Sequence, residues 1–337
     1  MRAVDVAAKP QSPIPILILS DCEPDPRELP PNDRQPWVGF ERYFDFMAEQ
    51  RARLAAESGR DVRFNWFWRM DPQIERAYGS LDWGVATYAR QVAEMQRHGD
   101  GIGLHTHAWR WDEAAQGWIV DHGNAPWVES CVRRSFAAFR AAFGRDCEIF
   151  RFGDGWFDAA LIPLLEELGA RIDLTLEPDM AAIAGVLPHE RATGRIPDRR
   201  GIPLTPYRPS RTDFRRRDDS GRTRLWLLPA STGTLRRRPK LSKFNKLLRW
   251  WRSPARRISQ LSLEIDPRHF KQTLRHALRR ARPTYAAITI RTDVGTSAER
   301  LKIVAQNLDT ILRHKKADRF RFATATEALK LLTGEAC

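Results

Sequence analysis

Cysteine is scarce in this chain. Cys22, Cys131, Cys147 and Cys337 are scattered over 337 residues, and none forms a CxxC pair with another. That spacing excludes a zinc ribbon and offers no disulfide framework. Long apolar runs are missing as well. The N-terminal stretch MRAVDVAAKPQSPIPILILSD holds an apolar run of only about six residues, far short of a signal-peptide core or a membrane span. Acids follow it at once, so it reads as a first core strand, and the default expectation is a cytoplasmic protein. No internal repeat is evident.

What is present points to a folded globular protein. Hydrophobic residues make up 42% of the chain and 12 tryptophans are among them, which excludes a disordered polypeptide. The length suits one large α/β domain or two ordinary ones, with a substantial core. The formal net charge is +14, concentrated in a few stretches. Such a balance is compatible with nucleic acid, an anionic membrane or acidic small molecules, and does not choose among them.

The first half alternates regularly. PILILS (15–20) reads as a strand buried on both faces. Residues 37–57 have helical apolar spacing and stop at Gly59; VRFNWFWRM (62–70) reads as a second strand. A helix over 88–99, a strand GIGLHTH (101–107), a helix over 127–144 and a strand EIFRFGDG (148–155) follow. A helix at 159–170 and a strand at 171–178 continue the series, the pattern of parallel βαβ units. Residues 180–224 read as loop with short strands, and LWLLPA (225–230) as a strand. After a basic stretch at 234–261, helix 269–281, strand 285–290, helix 299–314 and a strand–helix close at 320–332 complete the chain. Polar residues collect at strand ends: Asp21 and Glu23, Arg69 and Asp71, His105 and His107, Arg151 and Asp154, and Asp173. In parallel α/β architectures that is the face where sites are built.

Asp21 and Glu23 are two apart, so an extended backbone points both to one side. One carboxylate of such a pair can bind a metal while the other takes a proton from water. They read equally as a polar loop with helix-capping acids. His105 and His107 share a strand face in the same way and can both offer a ring nitrogen to one ion. A carboxylate with two histidines leaves open positions, as a catalytic zinc or similar divalent ion needs. His98 and His122 fall on a helix end and in a loop and are set aside. Arg151 is placed to orient the proposed base by a paired hydrogen bond, or to form an ordinary ion pair in a turn.

The series SDCEPD, FNWFWRMD, GIGLHTHAW, FRFGDGWFD and LGARIDLTLEPD resembles the polysaccharide deacetylases of the carbohydrate esterase type. The tail, YAAITIRTD and FRFATATEAL, is similar to the last strands of that family, so the resemblance spans most of the chain. Each motif is degenerate; the specificity lies in their order. The resemblance implies a distorted (β/α) barrel of about seven strands, one domain over 1–337 with a basic amphipathic insertion at 234–261. It implies a carbohydrate deacetylase that removes acetyl groups from N-acetylated sugars with a divalent metal, usually zinc. Asp21 matches the general base, Glu23, His105 and His107 the metal ligands, and Arg151 the arginine that orients the base.

Three departures stand out. The acids are Asp-x-Glu in place of Asp-Asp, so base and ligand could be exchanged. The histidines are HxH in place of HxxxH, with Trp109 at the later position. The last motif, IRTD, has Arg291 where the family has a histidine that protonates the leaving amine. Arginine does not readily give up its proton. Asp293 takes that role, or a histidine arrives from elsewhere, or the site is catalytically reduced. The rival reading is therefore a saccharide- or polyanion-binding protein of the same fold. KLSKFNKLLRWWRSPARR (240–257) interleaves Leu, Phe and Trp with Lys and Arg. It reads as an amphipathic insertion with a solvated basic face, or as a contact with the inner, anionic face of a membrane. Nucleic-acid binding through its tryptophans ranks last.

Overall fold

The computed structural model describes residues 12–184, 190–218, 220–237 and 255–335. In chain order the first half runs β1 (Ile14–Cys22), α1 (Val38–Ser58), β2 (Asn65–Arg69), α2 (Pro72–Tyr78), α3 (Trp83–Thr87), α4 (Ala89–Arg97) and β3 (Gly101–Thr106). It continues through β4 (Trp109–Asp112), β5 (Gly117–Asp121), α5 (Ala125–Phe143), β6 (Ile149–Phe152) and α6 (Leu161–Glu167). The second half comprises β7 (Ile172–Asp173), β8 (Arg191–Thr193), β9 (Trp226–Leu227), β10 (Thr232–Arg237) and β11 (Ala255–Gln260). It closes with α7 (Pro267–Arg280), β12 (Ala286–Arg291), α8 (Ala298–Leu312), β13 (Phe320–Phe322) and α9 (Ala325–Thr333).

The main sheet is parallel, in the order β12-β1-β2-β3-β6-β7-β9, with β13 paired to the start of β1. Helices cover its outer face. On α1, Phe40, Tyr43, Phe44, Met47 and Leu54 are buried at helical spacing, and the helix stops at Gly59 in the left-handed region (φ 65°). The sheet curls into a distorted barrel, as expected from the sequence. Between β9 and β12 irregular backbone bridges the two edges. Ser231 N donates to Ala287 O (2.9 Å), Leu261 N to Ser231 O (2.8 Å), and Thr289 N to Leu261 O (3.1 Å).

Strand alternation sorts the core into two clusters. Ile16, Ile18, Trp66, Trp68, Ile102, Leu104 and Phe150 face the helices. Leu17, Leu19, Phe67, Ile149, Leu174 and Ala287 face the barrel interior, where Ala325, Ala328 and Leu329 of α9 pack among them. The interior is a filled core, not a channel.

Several elements differ from the sequence reading. The strand expected at 171–178 pairs only over Ile172–Asp173, and that at 225–230 only over Trp226–Leu227, because both run into the irregular closure. The segment after β3 forms an antiparallel hairpin of β4 and β5, joined by β8 from the Pro- and Arg-rich middle. Of the basic stretch 234–261, the described ends pair as the antiparallel strands β10 and β11. Residues 238–254, which hold most of the 240–257 membrane-contact expectation, lie outside the described residues. No helix among the described residues is long and apolar enough to cross a membrane.

Candidate metal centre

Interior-facing positions alternate along each strand, and the same alternation carried past the apolar core delivers the site. On β1 the phase of Leu17 and Leu19 continues to Asp21 and Glu23; on β2 that of Phe67 continues to Arg69. On β6 Ile149 leads to Arg151, and on β12 Ala287 leads to Arg291. On β3 Gly103 leads to His105, with His107 next beyond the strand. Register aligns these tips: Asp21 opposite Arg291, Arg69 opposite His105, and His105 opposite Arg151. Gly103 is required where it stands, since a Cβ there would meet the Ile149 carbonyl oxygen at 2.4 Å.

Glu23, His105 and His107 are buried, and one ligand atom from each lies within 4.8 Å of the others. His105 Nδ1 lies 3.1 Å from the Arg151 carbonyl oxygen, an acceptor only, so this nitrogen carries the proton and Nε2 the lone pair. His107 Nδ1 makes no hydrogen bond, but the Asp154 carboxylate lies 3.3 Å from it, and that charge favours the proton on this nitrogen. The two Nε2 atoms then confront each other at 3.0 Å, lone pair to lone pair, with the ring planes at 86°. Glu23 Oε2 is 3.9 Å from His107 Nε2. Two nitrogens on one tetrahedral zinc lie about 3.3 Å apart. Two converging lone pairs beside a carboxylate repel unless a cation lies between them, so the donor set fits a divalent metal.

Burial, with Arg69 close by, brings the His107 imidazole down to about 4, so it is neutral at physiological pH and free to donate its lone pair. Burial alone would raise the Glu23 carboxyl, but the guanidinium groups of Arg291 and Arg69 pull it below the usual carboxylate range. Arg291 Nε donates to Oε1, and Arg69 Nη1 reaches Oε2 only at 3.3 Å. Oε2 is thus the oxygen turned toward the imidazoles.

Asp21 sits on the Nδ1 side of His105, 3.9 Å away, with Arg151 Nε donating to its two oxygens at 3.0 and 3.3 Å. Arg151 is itself fixed by Nη1 donating to the Leu174 carbonyl (2.7 Å). Asp293 is not brought to the ligand trio: it accepts from Arg300 Nη1 (3.0 Å) and lies 3.8 Å from Arg291 Nε, with Arg291 between it and Glu23.

A supporting ring of side chains has no assigned role in the sequence reading. Arg69 donates to both Asp71 oxygens and to Gln73, and Asp71 accepts from the His107 backbone N–H (3.0 Å). Asp154 collects His107, Arg27 and Trp109 Nε1 (3.2 Å). It does so from a left-handed backbone (φ 59°) between two glycines, uncommon for a residue with a side chain. Gly153 lies flush against His107; a Cβ there would meet ring atoms at 2.4 Å. His122, set aside as a loop residue, is buried, stacked on Trp156 (5.1 Å, 17°) and 3.9 Å from Asp154. Arg69, Asp71 and Asp154 carried a local signal as polar residues at strand ends; the contacts of Arg27, Gln73, Trp109 and His122 depend on chain closure.

No protein-family model matches the sequence, and no curated protein does. Solved structures do. A candidate polysaccharide deacetylase from Mycobacterium smegmatis superposes with a TM-score of 0.52 at 12% identity, over 99% of this chain and 95% of that one. A candidate glycoside hydrolase/deacetylase from Parabacteroides distasonis gives 0.54 at 11% identity, over 95% of this chain and 71% of the other. This chain shares their fold. At these identities the likeness concerns the distorted barrel; the chemistry rests on the side chains described above.

Proposed function

We propose that the protein is a metal-dependent hydrolase that removes an acyl group, acetyl foremost, from an N-acylated sugar of a polysaccharide, glycolipid or saccharide precursor. The observation that carries this reading is the convergence of Glu23 with the unprotonated faces of His105 and His107. The two solved structures of the same fold, a candidate polysaccharide deacetylase and a candidate glycoside hydrolase/deacetylase, agree with it.

Glu23, His105 and His107 would hold the ion, zinc in first place. When bound, the metal supplies Lewis-acid polarisation of the acyl carbonyl. Asp21 takes the proton of the attacking water, and Arg151, on both of its oxygens, keeps that carboxylate in one rotamer. Asp293, two residues past β12, is the proposed acid for the leaving amine; to serve, it would have to release its pairing with Arg300 and take up a proton first. A cytoplasmic enzyme, peripheral at the inner membrane face, belongs to the same proposal.

The pairing of Arg291 with Glu23 favours a second reading, a saccharide-binding protein with reduced turnover, since a guanidinium there cannot protonate an amine. The test is metal analysis of protein purified without chelators, with acetate release from N-acetylated sugars. Wild type should carry one divalent ion per chain and release acetate, and His105→Ala should lose both while remaining folded. Metal-free wild-type protein that His105→Ala leaves unchanged would overturn the proposal. Retained metal and sugar binding without acetate release would favour the second reading.

A further inference from the structure

Away from the strand tips, α7 and α8 enclose a groove of about 640 Å³. Lys271, Arg275 and Arg279 line one wall at successive turns of α7, about 6 Å apart along the axis. Arg313, Lys315 and Lys316, just past the end of α8, line the other. The one carboxylate in the lining, Asp309, is taken by Arg53 at 2.5 Å. Lys271, Arg275, Arg279, Lys315 and Lys316 have no acidic partner among the described residues. Their crowding is felt at His314 in the same lining, whose imidazole is lowered by burial first and then by Lys316, Arg275 and Lys315.

Helix-end complementarity does not account for the pattern. Arg279 lies in the last turn of α7, where a cation suits the dipole, but Lys271 is near the start, where it does not. The sequence outside the described residues adds little acidic charge. The stretches outside the described residues, 1–11, 185–189, 219, 238–254 and 336–337, contain only Asp5 and Asp219 as acids, and 238–254 is itself strongly basic. A concave surface lined by five cations without acidic partners among the described residues suits an anionic ligand.

We infer that this groove is a second binding site, for a segment of an acidic polysaccharide. Concavity and lining chemistry select that occupant. A flat anionic membrane would reward protruding apolar side chains, yet the exposed large hydrophobics among the described residues are Ile183 and Leu331, neither in the groove. Single-stranded nucleic acid is bound on aromatic stacking surfaces, and no Phe, Tyr or Trp lines the walls. Duplex DNA accepts a protruding helix into its groove, the converse of this shape. A single chain bearing carboxylates or sulfates at intervals can lie between two rows of cations. The inference is independent of the metal centre, because the groove uses none of its residues.

The test uses the full-length protein and four probes: polygalacturonate, heparin, an oligo-dT strand, and phosphatidylglycerol vesicles. The variant is the triple Lys271→Glu, Arg275→Glu, Arg279→Glu, at exposed positions, with circular dichroism as the check on its fold. The control reverses the exposed Arg90 and Arg97 of α4. The expected result is salt-sensitive glycan binding that weakens roughly tenfold or more in the triple variant and little in the control. Polygalacturonate against heparin tells carboxylate from sulfate as the preferred anion. Glycan binding equal in wild type and triple variant overturns the site. Oligo-dT or vesicles bound more tightly than either glycan, and lost in the triple variant, overturn the assignment of the partner. Should the triple variant misfold, Arg275→Gln alone must still weaken glycan binding measurably, and an unchanged affinity there also overturns the site.

Discussion

Asp154→Asn is the most informative single change at the metal centre. Asparagine is among the few residues at ease in the left-handed conformation that position 154 adopts, so the turn should persist. The amide oxygen can still accept from Trp109, and Arg27 keeps its pairing with Glu190. What is lost is the negative charge 3.3 Å from His107 Nδ1. That charge favours the protonated Nδ1 and makes the opposite nitrogen a better donor. Removing a carboxylate behind a ligating imidazole lowers metal affinity by about 10–100-fold, or about 1.4–2.8 kcal/mol. The measurement is competition against a chromophoric chelator, with circular dichroism and a thermal melt as controls for fold. If Asp154→Asn binds metal as tightly as wild type, the orientation deduced for His107 is wrong, and the face-to-face lone pairs with it.

Two further changes probe the surroundings. Gly153→Ala places a Cβ against the buried His107 ring, and overpacking of this kind costs about 1–3 kcal/mol; weaker metal binding, a lower Tm, or both should appear, and neither changing would refute the packing. Asp173, buried with Thr175 as its hydrogen-bond partner, is pushed up by burial from 3.8 to about 7. The folded state therefore holds that proton after the unfolded chain has released it, so its contribution is complete below pH ~4, declines as pH rises to ~7, and is flat above. Asparagine mimics the neutral acid, so Asp173→Asn should remove this slope, worth at most about 4 kcal/mol, in urea melts at a series of pH values. An unchanged slope would show that the carboxyl is not held neutral.

The convergence of Glu23, His105 and His107 was legible because a two-residue spacing at the end of an apolar strand is local information. His105, His107, Asp21 and Glu23 all inherit the phase of the core residues before them. Arg151 was legible for the same reason, but its carbonyl contact with His105 was not, since it needs β3 and β6 to lie side by side. The role of Asp154 depends on a left-handed turn that carries it over a neighbouring strand. The hairpin of β4 and β5, with Trp109 and Trp118 packed together, was missed because its strands are short and end in polar residues. Asp293 illustrates the limit from the other side: its place at a strand end was correct, yet Arg300 and Arg291 claim it, and spacing carries no record of such competition.

The pairing of Arg237 with Ala255 has a bearing on how this protein can change. The polypeptide departs and returns at neighbouring rungs of one ladder, roughly 5 Å apart. The closure entropy of a loop joined at such rungs changes by only about 0.6 kcal/mol per doubling of its length. By closure entropy alone, a change of length between Arg237 and Ala255 therefore puts little load on the ladder that joins them.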